Sequence, residues 1–225
     1  MIIGNGLIAN LFRENDRENV VFFASGVSNS LETDKSAFQR EENLIRKTIK
    51  ENPNKIFIYF STCSIYDSSK NGSSYVNHKL KMEQIVEELA NQFLILRVSN
   101  AVGKGGNPNL LMNYLVNAFH QEKEITVHTL ATRNLIDADD VKNITLKFIN
   151  ENSFNKIINV AYLENFSTIQ ILEILEKHFN KTAKTSLVKS GQSYLISIPE
   201  AEAYFAENKL TEKKEYLLRI IKRYY

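Results

Sequence analysis

Four short apolar runs dictate most of what this chain can become. They are Met1–Ile3, Val20–Ala24, Ile56–Phe60 and Phe93–Val98, and each ends in glycine, serine or another small polar residue. Apolar runs without polar alternation are the mark of strands buried on both faces. Between them, Leu7, Ile8, Leu11 and Phe12 recur at helical spacing, as do Phe38, Leu44, Ile45 and Ile49, and a third helix is predicted from Tyr75 to about Ala90. Strands alternating with helices predict an α/β fold, a parallel sheet with helices on both faces. Farther on, helices are expected over Leu110–Phe119, after Asp139-Asp140, over Ile169–Phe179 with Ser167 as N-cap, and over the basic tail Glu212–Tyr225. Strands are expected at Ile125–His128 and Ile157–Val160.

Composition removes several function classes. Lys+Arg is 28 and Asp+Glu is 26, a balance that gives no reason to expect a nucleic acid or an anionic membrane as partner. No stretch is long and apolar enough to span a bilayer, and Met1–Ile3 is too short for a signal peptide. Cys63 is the one cysteine, so no intrachain disulfide forms and a cytoplasmic location is expected. His78, His120, His128 and His178 show no metal-ligand spacing, so no metal is expected.

The chemistry-bearing residues lie where strands end. Gly4-x-Gly6-x-x-Ala9 follows a strand and opens a helix, the setting in which glycines let a backbone approach a pyrophosphate. Tyr75 and Lys79 are four apart on a helix and share a face. A nearby ammonium favours the tyrosinate, and such a tyrosine can exchange a proton with a substrate hydroxyl. Thr62 ends the most apolar strand, 13 residues before Tyr75, and Ser61 competes with it for the same role. His78 falls on a different helix face, where a surface or packing role is expected.

Together these segments resemble the extended short-chain dehydrogenase/reductase family, the NAD-dependent epimerases and dehydratases of nucleotide sugars. Phe60-Ser61-Thr62-Cys63-Ser64-Ile65-Tyr66 is similar to the family's strand-end motif, Leu96-Arg97-Val98-Ser99-Asn100-Ala101-Val102-Gly103 to its Leu-Arg-x-x-Asn-Val-Tyr-Gly segment, and Arg133–Val141 to its Arg-Asp-Phe-Ile-x-Val-Asp-Asp-Val segment. The resemblance implies a Rossmann-like sheet. It makes Thr62, Tyr75 and Lys79 catalytic. It assigns the cofactor, NAD or NADP, to Gly4, Asn5, Gly6, Leu7, Ile8, Ser25, Gly26, Tyr75 and Lys79. Substrate falls to Ser64, Asn100 and Arg133, with Arg133 suited to a diphosphate because a guanidinium forks onto two oxygens. The alternative for Arg133 is an ion pair with the neighbouring aspartates, and Asp140 reads as an N-cap or anchor. Residues 1–225 form a single domain, about 1–100 holding the cofactor and about 101–225 mixing the last strands with a small interleaved substrate lobe. A homodimer through the Tyr75–Ala90 helix, with Leu80, Ile85, Val86 and Leu89, is a further expectation.

Two departures sharpen the reading. Phe12 and Val20 are eight residues apart, where the family has two more strands, so the sheet is shortened after the first helix and the first strand becomes an edge. The adenosine ribose loses its usual acidic partner with them; Asp16 and Glu18 lie in a tight connection. Cys63 and Ser64 stand where dehydratases carry Asp-Glu, which argues against a 4,6-dehydratase. Two functions fit: an NAD(P)-dependent epimerase or reductase of a nucleotide-activated sugar in polysaccharide biosynthesis, or a family member that binds a nucleotide or nucleotide sugar without redox catalysis, or serves as a partner subunit.

Overall fold

The structure is a computed structural model describing residues 1–225. Its elements follow the apolar runs closely. β1 (Ile2–Ile3), α1 (Leu7–Leu11), β2 (Val20–Phe23), α2 (Lys35–Glu51), β3 (Ile56–Thr62), α3 (Ser74–Leu89) and β4 (Phe93–Val98) come first. Then come β5 (Asn100–Val102), α4 (Leu111–His120), β6 (Ile125–His128), β7 (Thr132–Arg133), β8 (Leu135–Asp137) and α5 (Ala138–Asn150). β9 (Lys156–Val160), β10 (Phe166–Ser167), α6 (Thr168–Phe179), β11 (Thr185–Val188), α7 (Pro199–Glu207) and α8 (Lys213–Tyr224) complete the chain.

The main sheet is parallel and ordered β1-β2-β3-β4-β9. Every residue of β2 and β3 is buried, as their unbroken apolar runs require. One face, carrying Val21, Phe23, Phe57, Tyr59 and Ile95, packs on Ile45 and Ile49 of α2 and Met82, Ile85 and Val86 of α3. The other, carrying Phe22, Ile58, Leu94 and Leu96, packs on Phe12 and on Val141, Ile144 and Phe148 of α5. The sheet is thus Rossmann-like, with helices on both faces, and β1 is its edge.

The short sheet changes one connection. The steps from β1 to β2 and from β2 to β3 run the same way along the sheet, yet α1 lies on the α5 face and α2 on the opposite one. The crossover through α1 therefore has the opposite hand to the crossover through α2. Parallel crossovers are almost always right-handed, and a right-handed one here would set α1 beside α2. Aromatic packing holds it elsewhere: the Phe12 ring stacks on Phe22 with centroids 4.4 Å apart and lies 5.5 Å from Phe60.

Residues 100–225 add small satellites to this frame: β5 pairs with β8, β6 with β11, and β7 with β10. α8 closes onto the start of α5 through Asp140, which accepts from the hydroxyls of Tyr204 and Tyr216, each at 2.7 Å, and from Arg219 at 2.9 Å. Asp140 is thus an anchor, while the N-cap of α5 is Asp137, which accepts from the Asp139 N–H. On α3, Ile85 and Val86 are core residues and only Leu89 is exposed, so the apolar surface expected for dimerisation is mostly buried within the chain. No helix is long and apolar enough to cross a membrane.

Candidate functional site

At the carboxyl ends of the strands lies a cavity of about 840 Å³, where ligands bind in open parallel sheets. One end is formed by Asn5, Gly6, Leu7 and Ile8. Gly6 caps α1 without a side-chain bond, so the first N–H groups of that helix, at the cavity wall, are left without a side-chain acceptor. Gly4 does not line the cavity. Its φ of +125° and the 2.4 Å that would separate a Cβ from the Ala24 carbonyl oxygen show that glycine is needed there for β1 to pass β2. Ser25 and Gly26 form the neighbouring wall. These residues suit a dinucleotide's pyrophosphate, a fit that rests on the uncapped start of α1 and on the open space in front of Gly6, where an added Cβ would meet nothing within 4 Å.

The catalytic candidates meet in the same cavity: Thr62, Tyr75 and Lys79 all line it. Ser73 caps α3 by accepting from the Val76 N–H, which fixes Tyr75 in the first turn. Thr62 Oγ1 accepts from the Ser64 N–H at 3.0 Å, leaving its own proton free to donate. Its competitor Ser61 donates instead to Glu83, which also holds Arg97. Thr62 is therefore the free hydroxyl of the two. Cys63 is buried, its thiol bonded to the Arg97 carbonyl, and burial pushes it up to about 12, so it is a packing thiol and no acid at neutral pH.

Lys79 is buried to 2% exposure and bonds Glu41 Oε1 at 3.1 Å. Glu41 is fully buried and also accepts from Tyr59, the Val27 N–H and His78. Burial alone would raise this carboxyl, but the Lys79 charge and these hydrogen bonds outweigh it and hold it well below the usual carboxylate range. Of the two roles expected for His78, the structure shows packing: it is buried and stacked on Phe38, although it shares one carboxylate with Lys79 rather than facing away from it. A group held low when folded stabilises the fold above its unfolded value and loses that contribution as pH falls. Stability measured from about pH 5 down to pH 3 is therefore expected to fall more steeply in the wild type than in Glu41→Gln.

Gly26 has a second duty here. A Cβ on it would lie 2.7 Å from Glu41 Oε1 and 2.9 Å from Lys79 Nζ. Gly26→Ala is expected to displace this pair and to destabilise by about 1–3 kcal/mol, the usual cost of overpacking, measured as a lower denaturation midpoint.

Ser64, Asp67, Lys70, Asn100, Arg133 and Tyr194 also line the cavity, as does Lys104, on a loop whose Gly103 and Gly106 pack against Leu7. Arg133 makes no ion pair with the aspartates of α5, which are held by Lys142, Arg219 and Arg223; its Nη1 donates to the Thr132 carbonyl at 2.8 Å. Asn100 Nδ2 donates to the Asn134 carbonyl at 2.7 Å. Tyr194, on the segment after β11, is pushed up to about 12 by burial and faces Arg133 and Asp67. Asp67 is the only carboxylate among the lining residues; Asp16 is bonded to the amino terminus and Glu18 is not part of the wall. The residues that sequence reasoning missed are Glu41 and Tyr194. The first had a signal, since it lies three after Phe38 and four before Ile45 on the apolar stripe of α2.

Several solved structures share this fold. UDP-glucuronic acid 4-epimerase from Bacillus cereus, solved with UDP-glucuronic acid and NAD, matches with a TM-score of 0.69 at 19% identity, over 96% of this chain and 79% of that one. UDP-glucose 4-epimerase from Bifidobacterium longum, with NAD+ and UDP, matches with a TM-score of 0.69 at 16% identity, over 97% and 82%. dTDP-glucose 4,6-dehydratase from Bacillus anthracis, with NAD, matches with a TM-score of 0.65 at 16% identity, over 97% and 78%. At these identities the likeness is one of fold. No curated protein sequence matches the chain. Residues 4–161, most of the length, match the family described as NAD dependent epimerase/dehydratase, and the chain belongs to that family.

Proposed function

We propose that the protein is an NAD(P)-dependent epimerase or reductase of a nucleotide-activated sugar, with Tyr75 as its acid/base. The observation that carries this reading is that Thr62, Tyr75 and Lys79 line one cavity together with the glycine turn and with the cations Lys70, Lys104 and Arg133. When bound, a nicotinamide cofactor supplies a two-electron acceptor or donor. Asn5 to Ile8, Ser25 and Gly26 would hold it, with Lys79 at its ribose. Tyr75 would take the proton of the sugar hydroxyl, or return it, at its phenolic oxygen, while the free proton of Thr62 orients the sugar oxygen. Arg133 and Asn100 would meet the substrate diphosphate, with Ser64 beside the sugar. The neighbours' ligands, UDP-glucuronic acid with NAD in one and UDP with NAD+ in the other, support a cofactor and a nucleotide-linked substrate as the cavity's occupants. Elimination of water is disfavoured because Cys63 is buried with its thiol raised and Ser64 is no acid.

One observation favours the binding-only reading. With β1 at the sheet edge, no carboxylate lines the adenosine end, which Asn10, Ser28, Ser30 and Arg40 border instead. Two measurements separate the readings: titration of NADH and NADPH by fluorescence, and turnover of a panel of uridine and thymidine diphosphate sugars. Saturable cofactor binding with conversion of one sugar supports the enzyme. Folded protein that binds a nucleotide sugar but no cofactor up to millimolar concentration supports the binding-only function.

A further inference from the structure

Glu41 is a buried carboxylate with no part in the proton transfer described above. A carboxylate removed from water is costly unless it is paired and hydrogen-bonded. This one has four donors. Tyr59 at 2.7 Å and Lys79 at 3.1 Å bond Oε1, while the Val27 N–H at 2.7 Å and His78 at 3.0 Å bond Oε2. They come from β3, α3 and the turn after β2, so the carboxylate ties together the elements that frame the site. The Lys79 ammonium is also held from a second side, 4.5 Å from the centroid of the Tyr59 ring. Gly26 leaves room for this pair and for nothing larger.

We propose that Glu41 is a positioning residue of the site: its carboxylate fixes the Lys79 ammonium under the Gly26 turn and offsets part of the positive charge that Lys79 presents to Tyr75. The inference rests on Tyr75 and Lys79 acting as a pair, as above, and goes beyond it by assigning their partner. An unpaired ammonium beside a phenol favours the phenolate over the phenol. Paired with Glu41, it leaves Tyr75 able to hold a proton and to release it, which a reversible acid/base requires. The other ionisable groups near the cluster are His78 on α3, Tyr59 on β3, Arg40 on α2 at Ser25, and the Glu83–Arg97 pair farther along α3 and β4.

The test reads Tyr75 directly and needs neither cofactor nor sugar. Tyrosine ionisation is followed by ultraviolet difference absorbance, each protein being compared with the same protein carrying Tyr75→Phe, so that only this phenol contributes. Glu41→Gln keeps an acceptor for Tyr59 and Lys79 but removes the charge. Tyr75 is then expected to ionise at least about one pH unit lower than in the wild type. If Glu41→Gln does not fold, Lys79→Met is compared with Glu41→Gln/Lys79→Met, in which the unpaired carboxylate is also removed, so the two differ only in the Glu41 charge; the double variant is expected to ionise lower than the single one. An unchanged midpoint in the folded variant, or identical midpoints in the second comparison, overturns the proposal. A shifted midpoint in a protein that turns over no sugar sustains this inference while defeating the proposed function, so the two failures are told apart.

Discussion

Tyr75→Phe is expected to lower turnover of the nucleotide sugar by about 10²–10⁴-fold, the usual contribution of a positioned acid/base, while leaving cofactor affinity within a few-fold of wild type. The substitution removes one hydroxyl and keeps the ring. Tyr75 is 8% exposed and belongs to a small apolar cluster with Val27 and Val76, on which Phe38 and Ile65 pack, and phenylalanine would preserve that cluster. A loss in kcat with little change in KM would mark an interaction made in the transition state. Initial rates over a range of sugar concentrations, with cofactor binding measured separately, check this; an unchanged kcat would remove Tyr75 from the chemistry.

Phe12→Ala is expected to destabilise the fold by about 3–5 kcal/mol, the range for deleting a fully buried aromatic side chain. Phe12 has no exposed surface, and its stacking on Phe22 and Phe60 joins α1 to the sheet. The five residues of α1 are too few to hold a helix without tertiary packing. Losing the anchor also frees the glycine turn, so cofactor affinity should fall together with stability. Denaturant unfolding gives the first quantity and fluorescence titration of NADH the second. A change below about 1 kcal/mol would mean that Ile8 and Leu11 hold α1 unaided.

Much of this was legible in the sequence because it is periodic. The strands Val20–Phe23, Ile56–Thr62 and Phe93–Val98 are unbroken apolar runs, and α2, α3, α5 and α6 carry helical stripes, so a parallel sheet with helices on both faces could be expected, but not the face on which α1 packs. The edge position of β1 followed from the eight-residue gap before Val20. The lobe was less legible. β5, β7, β8 and β10 are two- or three-residue pairings set by tertiary contact, and α7 has little amphipathic pattern. Within the cavity, Thr62, Tyr75 and Lys79 could be named from spacing, but the choice of Thr62 over Ser61 needed the bond from Ser61 to Glu83. Glu41 was obscured by its neighbours: Arg40-Glu41-Glu42 reads as a solvated charge run, and only its register on the stripe shows that the middle residue turns inward. Tyr194 lies in a segment with no periodicity, so burial alone brings it to notice.

The odd-handed step through α1 has a consequence for the chain as a modular object. α1 sits on the face it shares with α5, and the turn over Gly6 opens into the cavity, although the connection from Arg13 to Asn19 is short. The free side of β1 is the rim of the sheet, and a strand-helix-strand cassette spliced between Asn15 and Val20 could extend the sheet outward from that rim. It would leave α1, α5 and the phosphate-facing turn where they stand, and the two halves of the splice would then join by crossovers of ordinary hand.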